Sequence, residues 1–174
     1  MISEGGSLNS VIITGSKAVN IEVAGQLSYL YLRKDNAKIS LKSSGKKAVV
    51  HTVFLENPAK LDFVSDSKKE PCNIYVLAKS DIKISGKNKK KDVVAINDSA
   101  EETKVTANKS ITLFADARTT IVVNRGAKDS KITTLDYKTP ITVTNNTDVS
   151  LIVTTPSAKK TVEAGKTHTV TGKN

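Results

Sequence analysis

Ala37-Lys38-Ile39-Ser40-Leu41-Lys42-Ser43 is followed by Ala59-Lys60-Leu61-Asp62-Phe63-Val64-Ser65 and then by Asp81-Ile82-Lys83-Ile84-Ser85-Gly86. Each phrase alternates apolar with polar residues, as a half-buried β-strand requires. The interval is roughly two dozen residues or a little less, the range of stacked structural units. A fainter copy precedes them at Ala18-Val19-Asn20-Ile21-Glu22-Val23, and another follows at Thr103-Lys104-Val105-Thr106.

The chain around these copies is nearly all strand and turn. Turn chemistry recurs at Asp35-Asn36, Ser43-Ser44-Gly45, Glu56-Asn57-Pro58, Gly86-Lys87-Asn88, Asn97-Asp98-Ser99, Asn124-Arg125-Gly126 and Asn145-Asn146. Short runs rich in β-branched residues lie between, such as Ala48 to Leu55, Ile111 to Phe114, Thr119 to Val123 and Val149 to Thr154. No window carries a helical period. Trp is absent and only 4% of residues are aromatic, so the core must be built from Val, Ile, Leu and Ala in thin, regular layers.

Two all-β architectures fit: a β-sandwich and a parallel β-helix. Sandwich strands need not resemble one another at a longer period, whereas here the same strand recurs at the head of each repeat. The expectation is therefore a single-stranded right-handed parallel β-helix, a solenoid of about six to eight coils with about three strands in each. Residues 1–174 form one domain, with 1–10 as leader, 11–155 as coils and 156–174 as a cap. A small antiparallel cap is expected in the C-terminal third, from Thr139 to Asn145 and from Val162 to Val170, because an open solenoid end exposes core and unpaired strand edges.

The short recurring strands, the Asn and Gly turns and the lysine-rich outer positions resemble the parallel β-helix modules of bacterial cell-surface and carbohydrate-active proteins, the pectate-lyase-like superfamily. The resemblance is one of repeat style over most of the chain, and no residue role is carried across from it. It implies an extracellular or cell-surface setting and a polysaccharide ligand, often pectic. The opening Met1-Ile2-Ser3-Glu4-Gly5-Gly6 does not lead into a secretory signal, so the chain reads as a monomeric module of a larger secreted protein whose signal peptide lies elsewhere. No stretch is apolar enough to insert into a membrane, and Cys72 alone makes no disulfide.

The net charge of +10, with an isoelectric point near 9.6, points to a polyanionic partner or to a self-repelling surface. With Ile39/Leu41, Leu61/Phe63 and Ile82/Ile84 in the core, the outward positions would stack Lys38, Lys60 and Lys83, with Lys104 beyond them. Neighbouring ammonium groups at such spacing repel by about 1 kcal/mol even in water. Either a bound acidic polymer or the nearby Asp62 and Asp81 must compensate. A second candidate is Tyr29, Tyr31 and Arg33, which share the outer face of their strand if Leu30 and Leu32 point inward.

The function that follows is non-catalytic binding or adhesion: an acidic polysaccharide such as pectin held by Lys38, Lys60, Lys83, Lys104, Tyr29, Tyr31 and Arg33. The alternatives are a polysaccharide lyase of the same fold and a structural spacer or stalk. A lyase would need a Lys or Arg base and a calcium ion on several carboxylates, for which Asp92, Asp98, Glu101, Glu102, Arg118 and Arg125 are the candidates. They show no repeat-spaced cluster, so no catalytic residue, metal or other cofactor is assigned. His51 and His168, far apart and without a Ser or Cys motif, read as structural. Nucleic acid is not the expected partner, because basic residues are not interleaved with stacking aromatics.

Overall fold

The computed structural model describes residues 1–172 and is a parallel β-solenoid of about seven coils. Each coil holds two strands, one in each of two sheets. Sheet I contains β2 (Val19–Val23), β4 (Ala37–Ser43), β6 (Ala59–Ser65), β8 (Asp81–Ser85), β10 (Thr103–Ala107), β12 (Thr119–Val123), β14 (Ile141–Asn145) and β17 (Thr167–Val170). Sheet II contains β1 (Ser7–Ile13), β3 (Gln26–Leu32), β5 (Val49–Leu55), β7 (Asn73–Val76), β9 (Asp92–Ile96), β11 (Ile111–Ala115), β13 (Lys131–Thr134), β15 (Leu151–Thr154) and β16 (Lys159–Val162).

The expected three strands per coil are thus two. A circuit of about twenty residues is used up by two strands and by two turns with hydrogen bonds of their own. The turns carry the ladder past the strand ends: Asp66 N donates to Ser43 O at 2.8 Å, and Asn88 N to Ser65 O at 2.9 Å. They also absorb unequal circuits. Gly86, at φ 118°, lets the turn after β8 pass so close to the Ser65 backbone that a Cβ there would collide with it.

The repeated phrases stack in register. Ile39, Leu61, Ile82, Val105, Ile121 and Val143 form one inward column of sheet I, and Leu41, Phe63 and Ile84 run beside it. Sheet II answers with Leu30, Val53, Ile74, Val94, Leu113, Ile132 and Val153. These side chains are almost wholly buried. Each Leu, Ile or Val so enclosed contributes about 1.5–3 kcal/mol, which lets aliphatic columns replace a core of large rings.

Both termini depart from the expected boundaries. The leader is partly strand, because β1 begins at Ser7 and pairs with β3. Thr139 to Asn145 does not belong to the cap: β14 continues the solenoid in parallel with β12. The antiparallel cap consists of β16 on β15 and β17 on β14. Of the expected cap, residues 173–174 lie outside the described residues.

One charged pair is enclosed where sheet I passes to sheet II. Lys109 Nζ lies 2.6 Å from Asp92 Oδ2, with the two side chains 5% and 0% exposed. Asp92 Oδ1 accepts from Cys72 N at 2.8 Å, and Lys109 Nζ also donates to Lys90 O at 2.7 Å. The pair therefore ties three successive coils together. Removing one partner strands a buried charge, so Asp92→Ala or Lys109→Met should lower stability by about 3–5 kcal/mol in urea unfolding. The double replacement by apolar residues should recover much of that loss, and single variants unfolding like wild type would show that the pair is not closed in solution.

Candidate functional site: a charged edge and an aromatic face

Solenoid stacking turns sequence positions into columns about 4.8 Å apart, and the columns decide which expected site residues meet. On the outside of sheet I, Lys38 pairs in register with Lys60, Lys60 with Asp81, and Asp81 with Lys104. Lys83 is not in this column. It sits in the next one, between Asp62 and Thr106. The reason is the alternation itself: Asp81 precedes Ile82 as Lys38 precedes Ile39, so an acid occupies the place expected of the third lysine.

Intervening acids therefore interrupt the lysine column, leaving only Lys38 and Lys60 as direct like-charged neighbours. Asp81 separates Lys60 from Lys104, and Asp62 is next to Lys83. Lys38, Lys60, Asp81 and Lys104 line a groove of about 400 Å³ together with Lys79 and Glu102, which pair at 2.7 Å. The Lys79 ammonium, first by hydrogen bond and then by charge, holds the Glu102 carboxyl below its ordinary range. The groove mixes both signs of charge and holds one ion pair, so it is not a row of cations alone.

Tyr29, Tyr31 and Arg33 lie on the opposite side, on the outer face of sheet II, with Leu30 and Leu32 in the core. The two candidate patches are thus on different faces, and the structure does not bring them together. Arg33 is already engaged: its Nε is 2.5 Å from Glu56 Oε2 and its guanidinium carbon 4.8 Å from the Tyr31 ring centre. That hydrogen bond to Glu56 raises the Arg33 pKa further. Tyr31 stacks on Phe54 with centroids 5.1 Å apart, and Phe54 on Tyr75 at 5.4 Å. The result is an aromatic ladder, invisible in the sequence because its rungs are more than twenty residues apart.

From sequence the run Lys87-Asn88-Lys89-Lys90-Lys91 reads as a solvated basic turn, but in the fold it belongs to the strongest charge asymmetry of the molecule. The turns leading from sheet I to sheet II occupy 44–48, 66–72, 86–91, 108–110, 124–130 and 146–150, and apart from the buried Lys109, which is paired with Asp92, carry ten Lys or Arg against four Asp or Glu, net +6. The return turns at 14–18, 33–36, 56–58, 77–80, 97–102, 116–118 and 135–140 carry six against seven, net −1. Lys46, Lys47, Lys68, Lys69, Lys87, Lys89, Lys90 and Lys91 fall in three consecutive coils of the basic edge, where only Asp66 and Glu70 oppose them. The signal was present as separate lysine pairs and the 87–91 run, but only closure of the coils stacks them.

The basic edge is held firmly. Asn88 is buried, donates to Ser65 Oγ and Glu70 O, and accepts from Lys90 N at 3.0 Å. Lys87 N donates to Asp66 Oδ1 at 2.9 Å. Beneath it Cys72 is enclosed, and burial, with the Asp92 charge adding to it, pushes its thiol well above the usual range.

The carboxylates considered for calcium do not converge. Asp92 is sealed against Lys109, Glu101 faces Arg118 at 3.4 Å, and Glu102 faces Lys79. Among the described residues no three His, Cys, Asp or Glu side chains are grouped so as to hold a metal ion. Arg125 lies on the basic edge and Arg118 on the acidic one. His51 is exposed on sheet II and His168 on β17 at the other end.

Compared with family models, with curated proteins and with solved structures, the chain matches none. The site must be read from its own geometry.

The Glu102 titration offers a direct check. Its folded pKa is lowered, so the favourable interaction is present at neutral pH and is lost as pH falls through the carboxylate range. Lys79→Ala should move the Glu102 titration upward in a carboxyl-resolved NMR series. No movement would show that the pair is open in solution.

Proposed function

We propose that this chain is a non-catalytic binding module for an acidic polysaccharide, carried on a secreted or cell-surface bacterial protein. The observation that supports this reading best is the basic edge, with eight lysines stacked in three coils against two carboxylates. An extended polyanion laid along the solenoid axis meets cations in each of these three coils, at a spacing set by the strands. The hydrogen-bonded turns fix where each lysine leaves the backbone, and like-charge repulsion along the edge is relieved when the polymer docks.

A uronic-acid chain suits the edge better than nucleic acid does. Turns 44–48, 66–72 and 86–91 contain no aromatic residue and no arginine, so bases would find nothing to stack on and phosphates no bidentate fork. Compact ammonium groups suffice for carboxylates presented singly along a chain. Lys38, Lys60, Lys83 and Lys104, balanced by acids, have a secondary role in this reading.

Titration with polygalacturonate, a neutral glucan and single-stranded DNA tests the proposal. Binding should favour polygalacturonate and fall steeply with added salt. Reversing Lys87, Lys89 and Lys91 to Glu should weaken it by about tenfold or more, while Lys60→Glu should do far less. Equal affinity after the triple reversal, or a preference for the DNA, would overturn the reading. Unsaturated product in the presence of calcium would replace it with the lyase.

A further inference from the structure

The aromatic ladder on sheet II has a rung missing. In register along one outward column run Ile12, Tyr31, Phe54, Tyr75, Ala95 and Phe114. Tyr31, Phe54 and Tyr75 are stacked, with interplanar angles of 10° and 18°, so their faces look along the solenoid axis. At Ala95 the side chain shrinks to a methyl. A notch of about 160 Å³ opens there, walled by Tyr75 and Phe114, floored by Ala95 and bordered by Asn97, Asp116 and Leu135.

The dimensions are those of one ring. Tyr75 and Phe114 lie two strands apart, roughly 9–10 Å, so a ring placed midway is about 4.8 Å from each, inside the range of face-to-face stacking. The rim selects the kind of ring. Among the described residues the Asp116 carboxylate has neither a hydrogen bond nor an ion pair, and the Asn97 amide nitrogen donates to nothing, its oxygen being occupied by Ser99. A ligand that suits this rim offers a hydrogen-bond donor to Asp116, an acceptor to the Asn97 amide and apolar surface on both faces. A pyranose does both, with C–H groups above and below and hydroxyls at the rim. A phenylalanine side chain offers no donor. The Asp116 charge disfavours an acidic sugar, so the ligand is uncharged.

We infer that the Tyr75–Ala95–Phe114 notch is a second binding site, which takes one ring of a neutral polysaccharide. It lies on a different face from the lysine edge and does not depend on it. Exposed Leu77 and Leu135 beside the notch extend apolar contact to the neighbouring sugar.

The test is calorimetric titration of the chain with cellohexaose, xylohexaose, mannohexaose and laminarihexaose at roughly 1 M salt, where the Debye length is about 3 Å and edge electrostatics are suppressed. At least one should bind. Phe114→Ala and Tyr75→Ala should each weaken that binding about tenfold or more. Ala95→Phe should supply the missing rung, abolish oligosaccharide binding, and leave the thermal unfolding midpoint at or above that of wild type. Ile152→Ser, an exposed apolar position on the same face away from the notch, should leave affinity unchanged. Failure of all four sugars to bind, or binding that survives Ala95→Phe, would overturn the inference. Polygalacturonate binding at low salt should persist in Ala95→Phe, so loss of one site does not mimic loss of the other.

Discussion

From β3 to β13 each strand finds its backbone partners one circuit away, in the coil before and the coil after, and the antiparallel β16 and β17 close the stack. A hydrogen bond left unmade in such a stack would be buried on both sides, so each circuit must return to its starting point in register, whatever its length. Twenty-three residues separate Asp81 from its partner Lys104, and sixteen separate Lys104 from Thr120, yet all three are in one column. The turns take up the difference, and they do so with buried polar groups. Ser80 Oγ accepts from Ala59 N, Ser80 N donates to Thr103 Oγ1, and Asn88 secures the lysine-rich turn.

Register also makes the surface one-dimensional. Whatever a coil presents at a given position is repeated, answered or omitted about 4.8 Å further on. Like charges accumulate along the edge from sheet I to sheet II, and acids gather along the return edge. Rings accumulate along one column of sheet II until Ala95 interrupts it. The two faces are chemically distinct: one edge suits a polyanion, and one sheet face offers apolar walls with a polar rim. The buried Lys109–Asp92 pair connects this surface to the interior, since Lys109 holds the Lys90 carbonyl within the most basic turn.

The fold was legible because its signal is local. The alternation in Ala37 to Ser43 and its copies places Ile39, Leu61 and Ile82 inward without reference to the rest of the chain, and a common period implies stacking. The number of strands per coil was not legible, because strand and extended turn share the same residue types, and turn hydrogen bonds between coils leave no trace in composition. The cap was only partly legible. Ile141 to Asn145 has the same alternation whether its neighbour is parallel or antiparallel, and the strand that covers it, β17, is identified only by its pairing.

The sequence by itself determined what is periodic: an all-β solenoid, an aliphatic core, the inward register of each repeated strand, and an excess of positive charge. Tertiary structure alone decided what is adjacent. It put Asp81 where a third lysine was expected, set Tyr31 on Phe54, separated the tyrosines from the lysine column, and gathered scattered lysine pairs into a single edge. The physical reason is that burial follows from a residue's immediate pattern. Contact across a solenoid depends on the length of each circuit, which turns with their own hydrogen bonds fix one coil at a time.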